Sequence, residues 1–228
     1  MSYKSLKILG IALLVFVPVI AWLLTGNDDA QMMQTADKPM VIIRDTVPQS
    51  ASTATFAGGC FWCTEAVFQE TPGVLAAISG YAGGTEYNPT YEQVYREQTS
   101  HRESVRVYYD PVVISYDELL DIYWHSIDPT DSGGQFVDRG MSYTTAIFYE
   151  NDVQRESAQA SKSNLEDSGR FDKPIVTQIL PFSTFYEAED YHQDFYKKST
   201  DRYESYKNAS GREEFKALIW QEIQKDSN

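Results

Sequence analysis

The segment Gly58-Gly59-Cys60-Phe61-Trp62-Cys63 constrains the fold of this chain more than any other. Ala54 to Gly58 has the composition of a short strand, and the residues from Cys60 to Phe68 that of a helix. A diglycine therefore stands where one passes into the other, and lets the backbone turn sharply. The next residue lies at the mouth of the helix. Unpaired backbone N–H groups there favour negative charge and are expected to lower the pKa of the Cys60 thiol. Cys63 lies one turn further on the same face, which brings the two sulfurs within bonding reach. These are the only cysteines among 228 residues. A bridge between such near neighbours closes a tiny loop and removes little chain entropy, which points to chemistry rather than architecture.

Around this turn the chain alternates irregularly between strand and helix patterns. Val74 to Tyr81 and Ser104 to Tyr109 read as strands. Ser115 is placed to cap a helix running through Trp124, with Glu118 completing a capping box. Asp128 to Ser142 is a long, Gly-rich, irregular stretch of the kind that carries function. Further strands are expected over Thr144 to Tyr149 and Ile175 to Leu180, a polar helix from Asp152 to Ser168, and a helix from Glu187 to Lys197 carrying His192. After Tyr203 the chain reads as an appendage with an amphipathic helix from Arg212 to Gln224, its stripe formed by Phe215, Leu218, Ile219 and Ile223. The pattern fits a single α/β or α+β domain over residues 53–200 with a carboxyl-terminal helical tail, 201–228.

The amino terminus is different in kind. Lys4 and Lys7 precede a near-continuous apolar run from Ile8 to Leu24, so residues 1–25 read as a signal peptide or an uncleaved membrane anchor. No convincing small-x-small cleavage site precedes Asn27-Asp28-Asp29, which favours an anchor. The basic residues on the amino side place the remainder across the membrane, in the periplasm or its equivalent. Residues 26–52 form a polar linker. Nineteen basic against 33 acidic residues give a formal charge of −14, which repels phosphate backbones and argues against nucleic-acid partners. Sixteen tyrosines supply apolar bodies with hydroxyl tips, so a Tyr-lined cleft can both bind and donate hydrogen bonds.

Gly59-Cys60-Phe61-Trp62, Gly80-Tyr81-Ala82-Gly83-Gly84, Asn88-Pro89-Thr90-Tyr91, His101-Arg102-Glu103 and Tyr109-Asp110-Pro111 occur in this order. They are followed by Asp128-Pro129-Thr130, Asp138-Arg139-Gly140, Ser142-Tyr143 and Phe185-Tyr186-Glu187-Ala188-Glu189-Asp190-Tyr191-His192-Gln193. The series resembles the A-type peptide methionine sulfoxide reductases over Thr53 to Lys198. The resemblance implies an α+β fold related to the ferredoxin-like plait, a mixed sheet flanked by helices, acting as a monomer without metal or cofactor. It implies reduction of the S epimer of methionine sulfoxide, with Cys60 attacking the sulfur and Glu103 protonating the oxygen. Tyr91 and Tyr143 would hold that oxygen, Asp138 would organise the site, and Phe61 and Trp62 would receive the methyl group.

Many members of that family carry Gly where Cys63 stands and resolve the oxidised nucleophile with cysteines in the tail. This tail has none, so Cys63 is the internal candidate for a disulfide with Cys60, to be reduced by a thioredoxin-like dithiol. Two other readings compete. An exported thioredoxin-like disulfide oxidoreductase would also use Cys-x-x-Cys, although no strand presents a Pro in the thioredoxin manner. A metal module built from Cys60, Cys63 and His101, His125 or His192 lacks a second cysteine pair and convincing ligand spacing.

Overall fold

The structure, a computed structural model, describes residues 47–220. The apolar run proposed as an anchor lies outside them. Among the described residues no helix is long and apolar enough to cross a membrane.

Period-two alternation shapes the sheet. In β1 (Ser52–Ala57), Ala54 and Phe56 face the main core while Ala57 joins a second cluster on the opposite face. In β2 (Val74–Ala82), Ala77 and Tyr81 face the main core; in β3 (Arg102–Tyr109), so do Val105, Val107 and Tyr109. β6 (Ala146–Tyr149), β7 (Gln178–Pro181) and β8 (Phe185–Glu187) complete a six-stranded sheet of order β7-β6-β1-β3-β2-β8. All neighbours are antiparallel except β6 and β7, so the sheet is mixed as expected. Pro181 is accommodated because it closes an edge strand, where a missing N–H breaks no ladder.

Helices α1 (Phe61–Gln69), α3 (Tyr116–Ser126) and α4 (Asp152–Asp167) supply the other side of the main core, through Phe61, Phe68, Leu119, Leu120, Tyr123 and Ala158. Phe56 stacks on Phe68 and Tyr123 at centroid separations of 5.1 and 5.0 Å. Each such fully buried ring contributes roughly 1.5–3 kcal/mol of transfer free energy. The Ser115–Glu118 capping box forms as read from the sequence, and α4 opens at Asp152 as expected, capped by Asn151. Helix α2 (Tyr91–Tyr95) begins at a second capping box, Thr90 with Gln93.

Three segments differ from expectation. Asp128–Ser142 is not irregular throughout: it holds a tight hairpin of β4 (Gly134–Gln135) and β5 (Asp138–Arg139), then a 3-10 turn over Met141–Tyr143. The helix expected from Glu187 to Lys197 does not form. Its first residue, Glu187, ends β8, and Asp194 at φ +53° leads into the short α5 (Phe195–Lys198). Tertiary bonds outcompete the helix here. The Gln193 amide accepts from Ser79 N–H (3.0 Å) and donates to the carbonyls of Ser79 (2.8 Å) and Ala188 (2.9 Å). The tail is not an appendage either. Helices α6 (Thr200–Ala209) and α7 (Arg212–Ile219) pack on the domain, with Tyr203 and Arg212 buried. Of the expected stripe, Leu218 is exposed and Ile223 lies outside the described residues.

Candidate active site

Gly59 turns at φ +81°, a conformation that disfavours any side chain, and a Cβ there would stand 2.5 Å from Cβ of Gln135. Cys60 follows as the N-cap of α1, its carbonyl accepting from the N–H groups of Cys63 (3.2 Å) and Thr64 (3.3 Å). Both thiols are free and buried. The Gln135 side chain that fills the turn is itself fixed: Nε2 donates to the carbonyls of Asp128 (2.7 Å) and Gly134 (2.8 Å), and Oε1 accepts from Asp128 N–H (2.8 Å).

Strand β3 carries Glu103 on the same face as Val105 and Val107, so alternation aims the carboxylate under the mouth of α1. Its Oε2 accepts from Phe61 N–H at 2.9 Å. Only 2% of Glu103 is exposed, and burial pushes its pKa up to about 8. The negative charge of Asp138 acts in the same direction. The Phe61 N–H and the Tyr143 hydroxyl pull the other way without offsetting burial. Glu103 is thus a neutral acid at pH 7.

That bond corrects the expectation for Cys60. The Phe61 N–H at the helix mouth serves Glu103, and burial pushes the Cys60 thiol well above the usual range, with Cys63, Glu103 and Asp138 adding to the rise. Cys63 moves the opposite way, to about 7. The Cys60 thiol donates a hydrogen bond to it, and Arg212 and Lys207 favour its charge against burial and Asp138. Of the buried pair, Cys63 is the thiol that ionises first.

An aromatic wall stands beside the thiols. The Phe61 ring lies 4.9 Å from His192, 6.1 Å from Tyr81 and 6.4 Å from Tyr91, centroid to centroid. Trp62 stacks on Phe195 at 3.8 Å, and its Nε1 donates to His192 Nδ1 at 3.1 Å. Accepting at Nδ1 leaves the His192 proton on Nε2, and burial holds that imidazole neutral, with its pKa near 4. Glu189 fixes the neighbouring tyrosines: one carboxylate oxygen accepts from Tyr91 N–H (2.8 Å), the other from the Tyr81 hydroxyl (2.7 Å). Tyr143 is presented by the 3-10 turn, anchored by Met141 N–H on Glu97 Oε1 (2.6 Å). Burial, reinforced by Glu103, raises the pKa values of both Tyr91 and Tyr143, which keeps them hydroxyl donors.

The structure thus brings together Cys60, Cys63, Glu103, Tyr91, Tyr143, Asp138, Phe61 and Trp62. Sequence reasoning missed what the tail contributes. The Tyr206 hydroxyl donates to Asp138 Oδ2, and Arg212 donates to the carbonyls of Ser126 (2.5 Å) and Gly58 (3.4 Å). It also missed the roles of Glu189 and His192, which stand in a quoted motif but whose partners lie far away in the chain, and of Gln135, which bonds nearby to Asp128 and Gly134. The three histidines stand apart: His101 on Gly84 N–H and the Glu86 carbonyl, His125 against Trp220, His192 on Trp62.

Two hydrogen-bonded thiols at a helix mouth, a neutral buried carboxyl and hydroxyl donors around them define a thiol-based oxidoreductase. Residues 52–224 match the family described as peptide methionine sulfoxide reductase. The peptide methionine sulfoxide reductases MsrA of Bacillus licheniformis and Bacillus subtilis are 56% and 55% identical over 167 residues, 73% of this chain and 92% and 94% of theirs. The reduced form of Mxr1 from Saccharomyces cerevisiae superposes with a TM-score of 0.63 at 30% identity, covering 67% of this chain and 88% of that one. Methionine sulfoxide reductase A of Corynebacterium diphtheriae gives 0.60 at 33% identity, covering 67% and 77%. The chain belongs to the peptide methionine sulfoxide reductase family. The competing reading as a thioredoxin-like disulfide oxidoreductase is set aside by these matches.

Proposed function

We propose that the chain reduces the S epimer of methionine sulfoxide, free or in proteins, by oxygen transfer to Cys60. The neutral Glu103 carboxyl, buried beside the free Cys60 thiol, carries this reading. A sulfoxide oxygen is a poor leaving group until protonated, and Glu103 holds a proton at pH 7 to give it. Tyr91 and Tyr143 donate to the same oxygen as charge develops, without adding charge of their own. Phe61 and Trp62 receive the S-methyl group, and Asp138, held by Tyr206, organises the site.

The Cys60 sulfur attacks while its proton passes to the Cys63 thiolate it already bonds. Glu103 gives its proton to the sulfoxide oxygen, and the substrate S–O bond breaks as that oxygen bonds to the Cys60 sulfur. Methionine leaves reduced by two electrons, and Cys60 is oxidised to a sulfenic acid. Cys63 then attacks Cys60. Its S–H proton joins the departing hydroxyl as water, and a Cys60–Cys63 disulfide remains for an external thioredoxin-like dithiol to reduce. Glu103 recovers its proton from solvent.

Assay of the purified protein on separated epimers tests the assignment. Methionine should form from the S sulfoxide, and turnover of the R epimer alone would overturn it. The run from Ile8 to Leu24 behind Lys4 and Lys7 supports an exported enzyme, anchored or released, which membrane fractionation of the full chain would check.

A further inference from the structure

Arg212 is 3% exposed, and its Nε has no hydrogen-bond partner among the described residues. Its guanidinium lies 4.5 Å over the Phe136 ring and bridges two backbone carbonyls, Ser126 at the end of α3 and Gly58 before the cysteine turn. A Cβ on Gly59 would come within 3.4 Å of Nη2, so the cation rests against the turn itself. A buried guanidinium satisfied only by neutral carbonyls is poorly compensated, because its charge has no bonded counter-ion. The anionic groups it serves lie nearby without touching it: Asp138, and Cys63 when ionised.

We propose that Arg212 is the positioning residue for the resolving step, holding the diglycine turn against Cys63 and supplying the positive charge under which Cys63 attacks the oxidised Cys60. The inference rests on the reading of Cys63 as resolving thiol. In the attack the Cys63–H and Cys60–O bonds break, the sulfur–sulfur bond forms and water leaves. Any group that favours the Cys63 thiolate lowers the barrier to losing that proton. The groups facing Cys63 are Cys60 at the N-cap, Glu103 on β3, Asp138 on β5, and Tyr203, Tyr206 and Lys207 on α6. Asp138 opposes ionisation of Cys63, and Lys207 assists Arg212. In this strongly acidic chain the tail thus delivers two cations to the cysteine pair.

The test compares wild type, R212M and R212K in single turnover with one equivalent of methionine S-sulfoxide. Methionine and the Cys60–Cys63 disulfide are quantified separately across pH 5.5–9.5. At pH 7, R212M should slow disulfide formation about tenfold more than methionine formation, and move the pH midpoint of disulfide formation up by about one unit. R212K, keeping the charge, should recover most of the midpoint shift. Equal slowing of both steps with an unmoved midpoint in R212M, or a midpoint moved as far in R212K as in R212M, would overturn the proposal. Absence of the disulfide in the wild type would overturn the reading of Cys63 itself, and with it this inference.

Discussion

Phe61 donates its backbone N–H to Glu103 Oε2 at 2.9 Å, so the first free amide of α1 is spent on the acid and not on the neighbouring thiol. One bond thereby joins the helix that carries both cysteines to the strand that carries Glu103. The N–H group would by itself keep Glu103 ionised, yet desolvation outweighs it and the carboxyl stays protonated to about pH 8. The acid is consequently held in place by an interaction that works against its own protonation, and burial decides the outcome.

Glu103→Gln keeps the shape and removes the transferable proton. Methionine formation should fall by about 10²–10⁴-fold, the usual contribution of general acid catalysis. In the wild type that step should decline as pH rises through about 8, because the active form is the protonated one; in the variant the decline should vanish. Single-turnover rates against pH read both.

Gly59→Ala should destabilise by at least about 1–3 kcal/mol from the left-handed backbone alone. The new methyl also meets Gln135, whose amide is pinned by three hydrogen bonds and cannot swing away. Urea unfolding measures the loss.

Glu65 is buried in α1, two residues beyond Cys63. Burial raises its pKa to about 8, one carboxyl oxygen accepts from Asp194 N–H, and the other has no partner. The unfolded chain ionises this group near 4.5 while the folded chain does not until about 8. Glu65 therefore withdraws stability progressively as pH rises between those values. Glu65→Gln should melt with the wild type at pH 4.5, melt higher as pH rises, and hold a constant advantage above about 8. A thermal melt series checks it.

Removal of residues 200–228 should abolish activity, since it takes Tyr206 from Asp138 and Arg212 from the cysteine turn. If the tail were the appendage its sequence suggests, the shortened chain would retain the wild-type rate.

Local signals were legible and distant ones were not. The diglycine turn, the helix behind it and the Ser115 capping box rest on neighbours in sequence, and they stand where the residues place them. The segment Glu187–Lys197 has a helical composition, but Gln193 and Glu189 bond to Ser79, Tyr81 and Tyr91, about a hundred residues away, and hold it open. The thiol pKa order was inverted for a similar reason. A helix mouth predicts an ionised Cys60, whereas a strand contributed from another part of the chain takes the N–H and two tail cations favour Cys63. Glu103, near the start of its strand, has the local setting of a solvated charge; in β3 it instead shares the buried inner face with Val105 and Val107.

In the proposed cycle Cys60 receives the oxygen and Cys63 removes it. Mass spectrometry after one equivalent of methionine S-sulfoxide, with free thiols alkylated and sulfenic acid trapped, tests it most directly. The wild type should yield one methionine, no free thiol and a Cys60–Cys63 bridge, and Cys63→Ser one methionine with the trap on Cys60. A wild type that forms methionine while Cys63 remains free, or a Cys63→Ser variant that recycles with thioredoxin at the wild-type rate, would contradict the account.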